Sequence, residues 1–303
     1  TIGAVTVLLV AWNLSGPLGA RGRGVTIAGL RIAIAYLVAT VAFGVVYAFN
    51  RRVGWFPLYT HRVLAHAHLG LLGWLGLAYV SVIETLGPMF LFAHRLRARA
   101  GEWAVGTLAG GVPLLAIGLL LGERSVAWPG GVLATVGVAC HLVSLWGSVR
   151  HRQLPLGLLH AFLLASAVFV VAAVVFGATA ALADVRPDER ARLVTAEVAS
   201  LTAWVGLAVI GHAHKIVPGI VSEARRVGNV DVVGCEAPVP AVHFRSSIAW
   251  LTFVVAAGGF AAAVVGIAAE SATVVAIAGC CLALTALLTT VNLGVGRLEQ
   301  RRR

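Results

Sequence analysis

The sequence predicts an all-α, polytopic membrane protein with about eight full transmembrane helices. Three observations carry that prediction. Of 303 residues, 59% are hydrophobic and only 12% are charged, a balance foreign to soluble domains. Apolar runs of about twenty residues recur along the chain, the length that a bilayer core demands of a helix. The arginines gather at the ends of those runs, where a membrane protein keeps its charge. The net charge of +11 is therefore a matter of topology. No basic stripe with interleaved aromatics is present, so the expected partner is the lipid bilayer and not nucleic acid.

Taken in order, residues 2–12 are apolar but too short to span, and no basic segment precedes them as in a signal peptide. Residues 1–24 read as the end of an incomplete helix and a loop. Full spans follow at roughly 25–49, 63–93, 103–121, 127–149, 155–180, 193–221, 247–267 and 273–295. Each is bounded by arginines or acidic residues, and several are rich in Gly and Ala, which lets helices approach closely in lipid. Pro88, Pro113 and Pro218 fall inside spans and are expected to kink them. The cysteines are Cys140, Cys235, Cys280 and Cys281. They form no CxxC or CxxCH, so neither a zinc knuckle nor covalent haem attachment is encoded.

Charge alternates between the two sets of loops. One side receives Arg21, Arg23, Arg95, Arg97, Arg99, Arg150, Arg152, Arg225, Arg226, Arg245, Arg297 and Arg301 to Arg303, which is 14. The other receives Arg51, Arg52, Arg62, Arg124, Arg186, Arg190 and Arg192, which is 7. The positive-inside rule assigns the first set, and the C-terminus, to the cytoplasm. A multi-pass protein of the cell (inner) membrane is the expectation.

The chain also repeats. Trp74-Leu75-Gly76-Leu77-Ala78 matches Trp204-Val205-Gly206-Leu207-Ala208; further on, Glu84 matches His214 and Pro88 matches Pro218. At a second offset Trp103, Gly111 and Glu123 match Trp250, Gly258 and Glu270. Residues 25–152 and 153–303 thus read as two copies of one four-helix unit.

Ionisable side chains inside apolar spans are functional candidates by default. His66 and His68 stand i, i+2 in the second span, so on a helix they point about 200° apart and suit two different partners. They read either as an interfacial pair bonded to water or carbonyls, or as axial ligands of haem b, with copper as a further metal. Gly70, Gly73 and Gly76 would let a haem face approach. His212 and His214 lie in GHAHKIVPG, late in the matching helix. They read as a snorkelling interface cluster or as a metal site, with Glu84 as the candidate carboxylate at that depth. Glu84 also reads as a proton relay or as half of an ion pair, and Arg31 is the arginine placed inside a span. His141 and His160, each alone in a span, read as satisfied core histidines before metal ligands.

The stretches HAHLGLLGWLGLAYVSVIETLGPMF and WVGLAVIGHAHKIVPGIV resemble the haem–copper oxidase subunit I superfamily, nearest its cbb-type and NnrS-like "oxidase subunit I-like" members. HxHxxxxGW and GxxxKIVP are the specific parts, and the resemblance covers about residues 25–295. It implies a protein built from four-helix units around haem and copper, of which this chain holds about the last two. It also implies that His66 and His68 occupy the family's HxH haem-ligand pattern, and that an N-terminal unit or other membrane subunits are partners. No adjacent histidine pair and no HPEVY-like segment is present, so a complete terminal oxidase is not expected. The expected function is electron transfer or nitric-oxide-related chemistry. A membrane transporter, or a structural subunit without its own cofactor, is the alternative.

Overall fold

The computed structural model of the chain describes residues 24–93, 99–233 and 245–298 and a few single positions before residue 24; for 221–233 and 295–298 it describes backbone only. The helix fragment expected before residue 24 and the loop centres at 94–98 and 234–244 lie outside the described residues.

Eight helices are long and apolar enough to cross a membrane. They are α1 (Val25–Val53), α2 (Thr60–Leu91), α3 (Arg99–Leu121), α4 (Arg124–Arg150), α5 (Leu158–Leu182), α6 (Pro187–Val233), α7 (Ser246–Ala268) and α8 (Ala272–Leu298). No strand occurs among the described residues. A helix closes every backbone hydrogen bond within itself, so it suits a chain surrounded by hydrocarbon. Large apolar side chains such as Val143, Val168, Val254 and Leu287 point outward, which in this chain means toward lipid. The chain is a multi-pass membrane protein.

The helices group into two compact units, Thr1–Pro155 and Leu156–Arg303, with α1–α4 in the first and α5–α8 in the second. In the first, Leu77 and Val80 of α2 and Ala104, Leu108 and Val112 of α3 are all fully buried. Asn50, also buried, clamps the loop before α2: its Nδ2 donates to the Phe56 carbonyl at 2.7 Å and its Oδ1 accepts the Phe56 N–H at 2.8 Å. Gly54 makes the turn there in the left-handed region, φ 70°, where a side chain would be strained. In the second unit the buried centre is Trp204 and Leu207 of α6 with Phe162 and Val170 of α5. Phe253 meets Phe162 edge-on at 5.1 Å. Arg192, at the start of α6, pairs with Asp188 one turn back and with Glu270 in the α7–α8 turn.

Three details go beyond the sequence reading. Helix α2 is not uniform: between the α-helical stretches Thr60–His68 and Leu77–Leu91, residues Leu69–Gly76 form a wider π-helix. Its glycines are not an open face. Space for a Cβ at Gly70 is taken by Thr40, and at Gly73 by Tyr36 and Val112. The run therefore seats α1 and α3 against α2, and Tyr36 donates a hydrogen bond across to the Ala109 carbonyl of α3. Second, the helices run on through Pro88, Pro113, Pro129 and Pro218. Third, Gly258 faces open space while its sequence match Gly111 is pressed against Gly130 and Ala134. The α7 glycines that press on α8 are Gly259, against Cys281, and Gly266, against Val275. Gly111 and Gly118 make the same seven-residue seam against α4.

Candidate functional site

The second and third turns of α2 carry His66 and His68. His66 faces α1: its Cε1 lies where a Cβ on Gly44 would be 3.4 Å away, and its ring stands 5.8 Å from that of Tyr47. Its Nδ1 is buried with no hydrogen-bond partner among the described residues. His68 is buried and holds its Nδ1 2.9 Å from the Leu64 carbonyl, one turn back in its own helix. The two rings therefore engage different surroundings, as i, i+2 spacing on a helix dictates.

In the second unit His212 and His214 repeat the His68 arrangement. Their Nδ1 atoms lie 2.8 Å from the carbonyls of Ala208 and Ile210. His214 stacks on Phe162, with centroids 5.9 Å apart and planes 18° from parallel. Gly211 makes room for that ring, since a Cβ there would strike Phe162. A carbonyl only accepts, so each of these three Nδ1 atoms carries the proton. In the neutral ring Nε2 then bears the lone pair. Metal-bound imidazoles use this outer hydrogen bond to fix tautomer and orientation. The three side chains thus fit the donor chemistry that haem or copper demands.

His160 has another job. Its Nδ1 accepts the Gly157 N–H at 2.9 Å, capping the start of α5. An accepting Nδ1 leaves the proton on Nε2 in the neutral ring, so this histidine is an N-terminal cap and not a poised ligand.

Glu84 sits in a polar cluster inside the first unit. Ser144 of α4 donates to its Oε2 at 2.7 Å, and Nδ1 of His141 stands 3.8 Å from its Oε1. The ring of Tyr79 meets that of His141 edge-on at 5.4 Å. Gly101, in the first turn of α3, provides the seat, because a Cβ there would overlap the carboxylate. Next to Glu84, Thr85 shares a 2.8 Å hydrogen bond with Thr26 of α1. The described partners of Glu84 thus belong to helices of its own unit. Arg31, by contrast, is exposed.

The sequence reading treated His141 as a lone core residue and did not single out Tyr79 or Ser144. It also passed over Glu197 of α6, whose carboxylate lies against Gly177 of α5, where a Cβ would come within 2.5 Å of Oε1. A glutamate inside an apolar span was the available signal for Glu197. For Ser144, only its position three residues after His141 on α4 was visible. Among the described residues no group of three or more His, Cys, Asp and Glu side chains is placed to hold a metal ion. No protein-family model, curated protein or solved structure matches the chain.

Proposed function

We propose that this chain is an integral membrane protein of the cell (inner) membrane that binds haem b, copper or both through imidazoles, and serves electron transfer or nitric-oxide-related chemistry. One observation supports the reading above the others. His68, His212 and His214 each fix Nδ1–H on a carbonyl of their own helix, which leaves the Nε2 lone pair as the one a metal would take. His66 and His68 would each take a separate group, two haems or one haem and one metal, and His212 and His214 a further metal. Bound haem or copper would supply one-electron chemistry, tuned by imidazole ligation and by the low polarity around it. The arginine distribution supports a cytoplasmic C-terminus, and the resemblance to oxidase subunits supports further membrane subunits as partners.

The test is a reduced-minus-oxidised absorption spectrum of the purified protein, with elemental analysis. A Soret and α-band pair that is lost in His66→Ala and His68→Ala, and kept in His212→Ala and His214→Ala, is the expected result. Bands lost only in the second pair would reverse the assignment of the sites. Colourless, metal-free protein would leave the transporter or structural-subunit reading in its place.

A further inference from the structure

We infer that Glu84, Ser144 and His141 form a proton-carrying site inside the membrane, reached from the end of the first unit where α2 and α4 terminate. The inference is independent of the haem and copper reading and uses none of its four histidines.

The argument starts with where the cluster sits. Glu84 lies seven residues before the end of α2 at Leu91, about 10 Å along the helix axis. The Leu91 carbonyl accepts the backbone N–H groups of Gln153 and Leu154, at 3.0 and 3.4 Å, so α2 and α4 end together. On α4, His141, Ser144 and Ser148 are spaced i, i+3, i+7 and share one face. Ser148 donates to the Ser144 carbonyl at 3.2 Å, and Ser144 donates to Glu84. Beyond His141 the same face continues as Gly137, Val138 and Ala134, all buried. Polar side chains on one face of α4 therefore lead from Ser148, two residues before its end, to Glu84 and His141.

Accessibility divides the cluster. The Glu84 side chain keeps 13% exposure, whereas His141 is sealed at 1%. The carboxylate is the outer station and the imidazole the inner one. The groups that face Glu84 are His141 from α4, Gly101 from α3, the Thr26–Thr85 hydroxyl pair toward α1, and Tyr79 beyond His141 on α2 itself. A carboxylic acid beside neutral imidazole and a carboxylate beside imidazolium have the same net charge. Moving one proton between them breaks the N–H bond at His141 Nδ1 as the O–H bond forms at Glu84 Oε1. That step leaves no uncompensated charge in lipid. Across 3.8 Å it needs only a small side-chain movement to reach hydrogen-bond range.

Dicyclohexylcarbodiimide, an apolar carbodiimide, tests the site on the full-length protein in detergent. A protonated carboxyl gives its proton to one carbodiimide nitrogen while its oxygen bonds the central carbon. Acyl migration then leaves a stable N-acylurea, and an ionised carboxylate does not start the reaction. Mass spectrometry should find one adduct on the Glu84 peptide, decreasing as pH rises. Glu84→Gln should lose the adduct. Ser144→Ala, which removes a donor to the carboxylate, should increase labelling at neutral pH about tenfold, the worth of one hydrogen bond to a charged group. His141→Gln should change the pH profile. If His141→Gln does not fold, the infrared difference between wild type and Glu84→Gln gives a second readout: a protonated C=O stretch assigned to Glu84 and sensitive to Ser144→Ala. No adduct at any pH in folded protein, or an adduct indifferent to both pH and Ser144→Ala, would overturn the inference.

Discussion

At the scale of single residues, the polar side chains of this protein act mostly on their own backbone. Ser81, Ser200, Thr252 and Thr285 each donate to the carbonyl four residues back, which satisfies the hydroxyl without any neighbour. Asn50 is different, because it joins α1 to the loop that sets the start of α2. Asn50→Ala would remove both hydrogen bonds and leave the Phe56 N–H and C=O without them, at a cost of about 2–4 kcal/mol. A lower melting temperature of detergent-solubilised protein checks this, and an unchanged one would mean that the loop is held by other contacts. Gly101 is the matching case for the polar cluster. Gly101→Ala should push the Glu84 carboxylate off its seat, lowering carbodiimide labelling or its pH dependence more than it lowers melting temperature.

At the scale of elements, small residues decide which helices touch. In α3, neighbouring glycines have opposite surroundings: a Cβ on Gly111 would press on the Ala134 backbone of α4, while one on Gly110 meets nothing within 4 Å. Gly111→Ala should therefore destabilise the α3–α4 hairpin by roughly 1–3 kcal/mol through overpacking. Gly110→Ala should be neutral or slightly stabilising, since alanine is the better helix former. Thermal unfolding of the two variants side by side checks the pair, and equal effects would remove the seam from the argument. The π-helix at Leu69–Gly76 lies between the histidine pair of α2 and the Glu84 cluster. Wide turns of this kind recur at functional sites, and here one separates two candidate sites on a single helix.

At the scale of the whole molecule, both units use the same device to close their last hairpin. Gly111 and Gly118 serve the first, Gly259 and Gly266 the second. Their core tryptophans are less alike, since Trp204 is fully buried and Trp74 only half-buried. The 14-to-7 division of arginines predicts the orientation of the chain. Single cysteines placed near residue 97 or at the C-terminus should resist an impermeant thiol reagent applied to intact cells and react after the membrane is opened. Efficient labelling from outside would invert the topology.

What the sequence determined by itself is the number of helices, their approximate ends and their membrane character. Apolar run length is set by bilayer thickness, so spans read at 25–49 or 103–121 reappear as Val25–Val53 and Arg99–Leu121. The ionisable residues His66, His68, Glu84, His212 and His214 were legible for the same reason, since charge inside such a run is costly. The tertiary structure alone decided what those residues meet. Spacing along one helix says which face a side chain takes, but Glu84, Gly101 and Ser144 lie on three different helices. Their meeting depends on how α2, α3 and α4 pack, and close packing is decided by glycine positions that a composition rich in Gly and Ala does not single out. The Gly111 seam shows the limit. The sequence match pointed to Gly258, while packing chose Gly259, because one residue along a helix turns the contact face by about 100°.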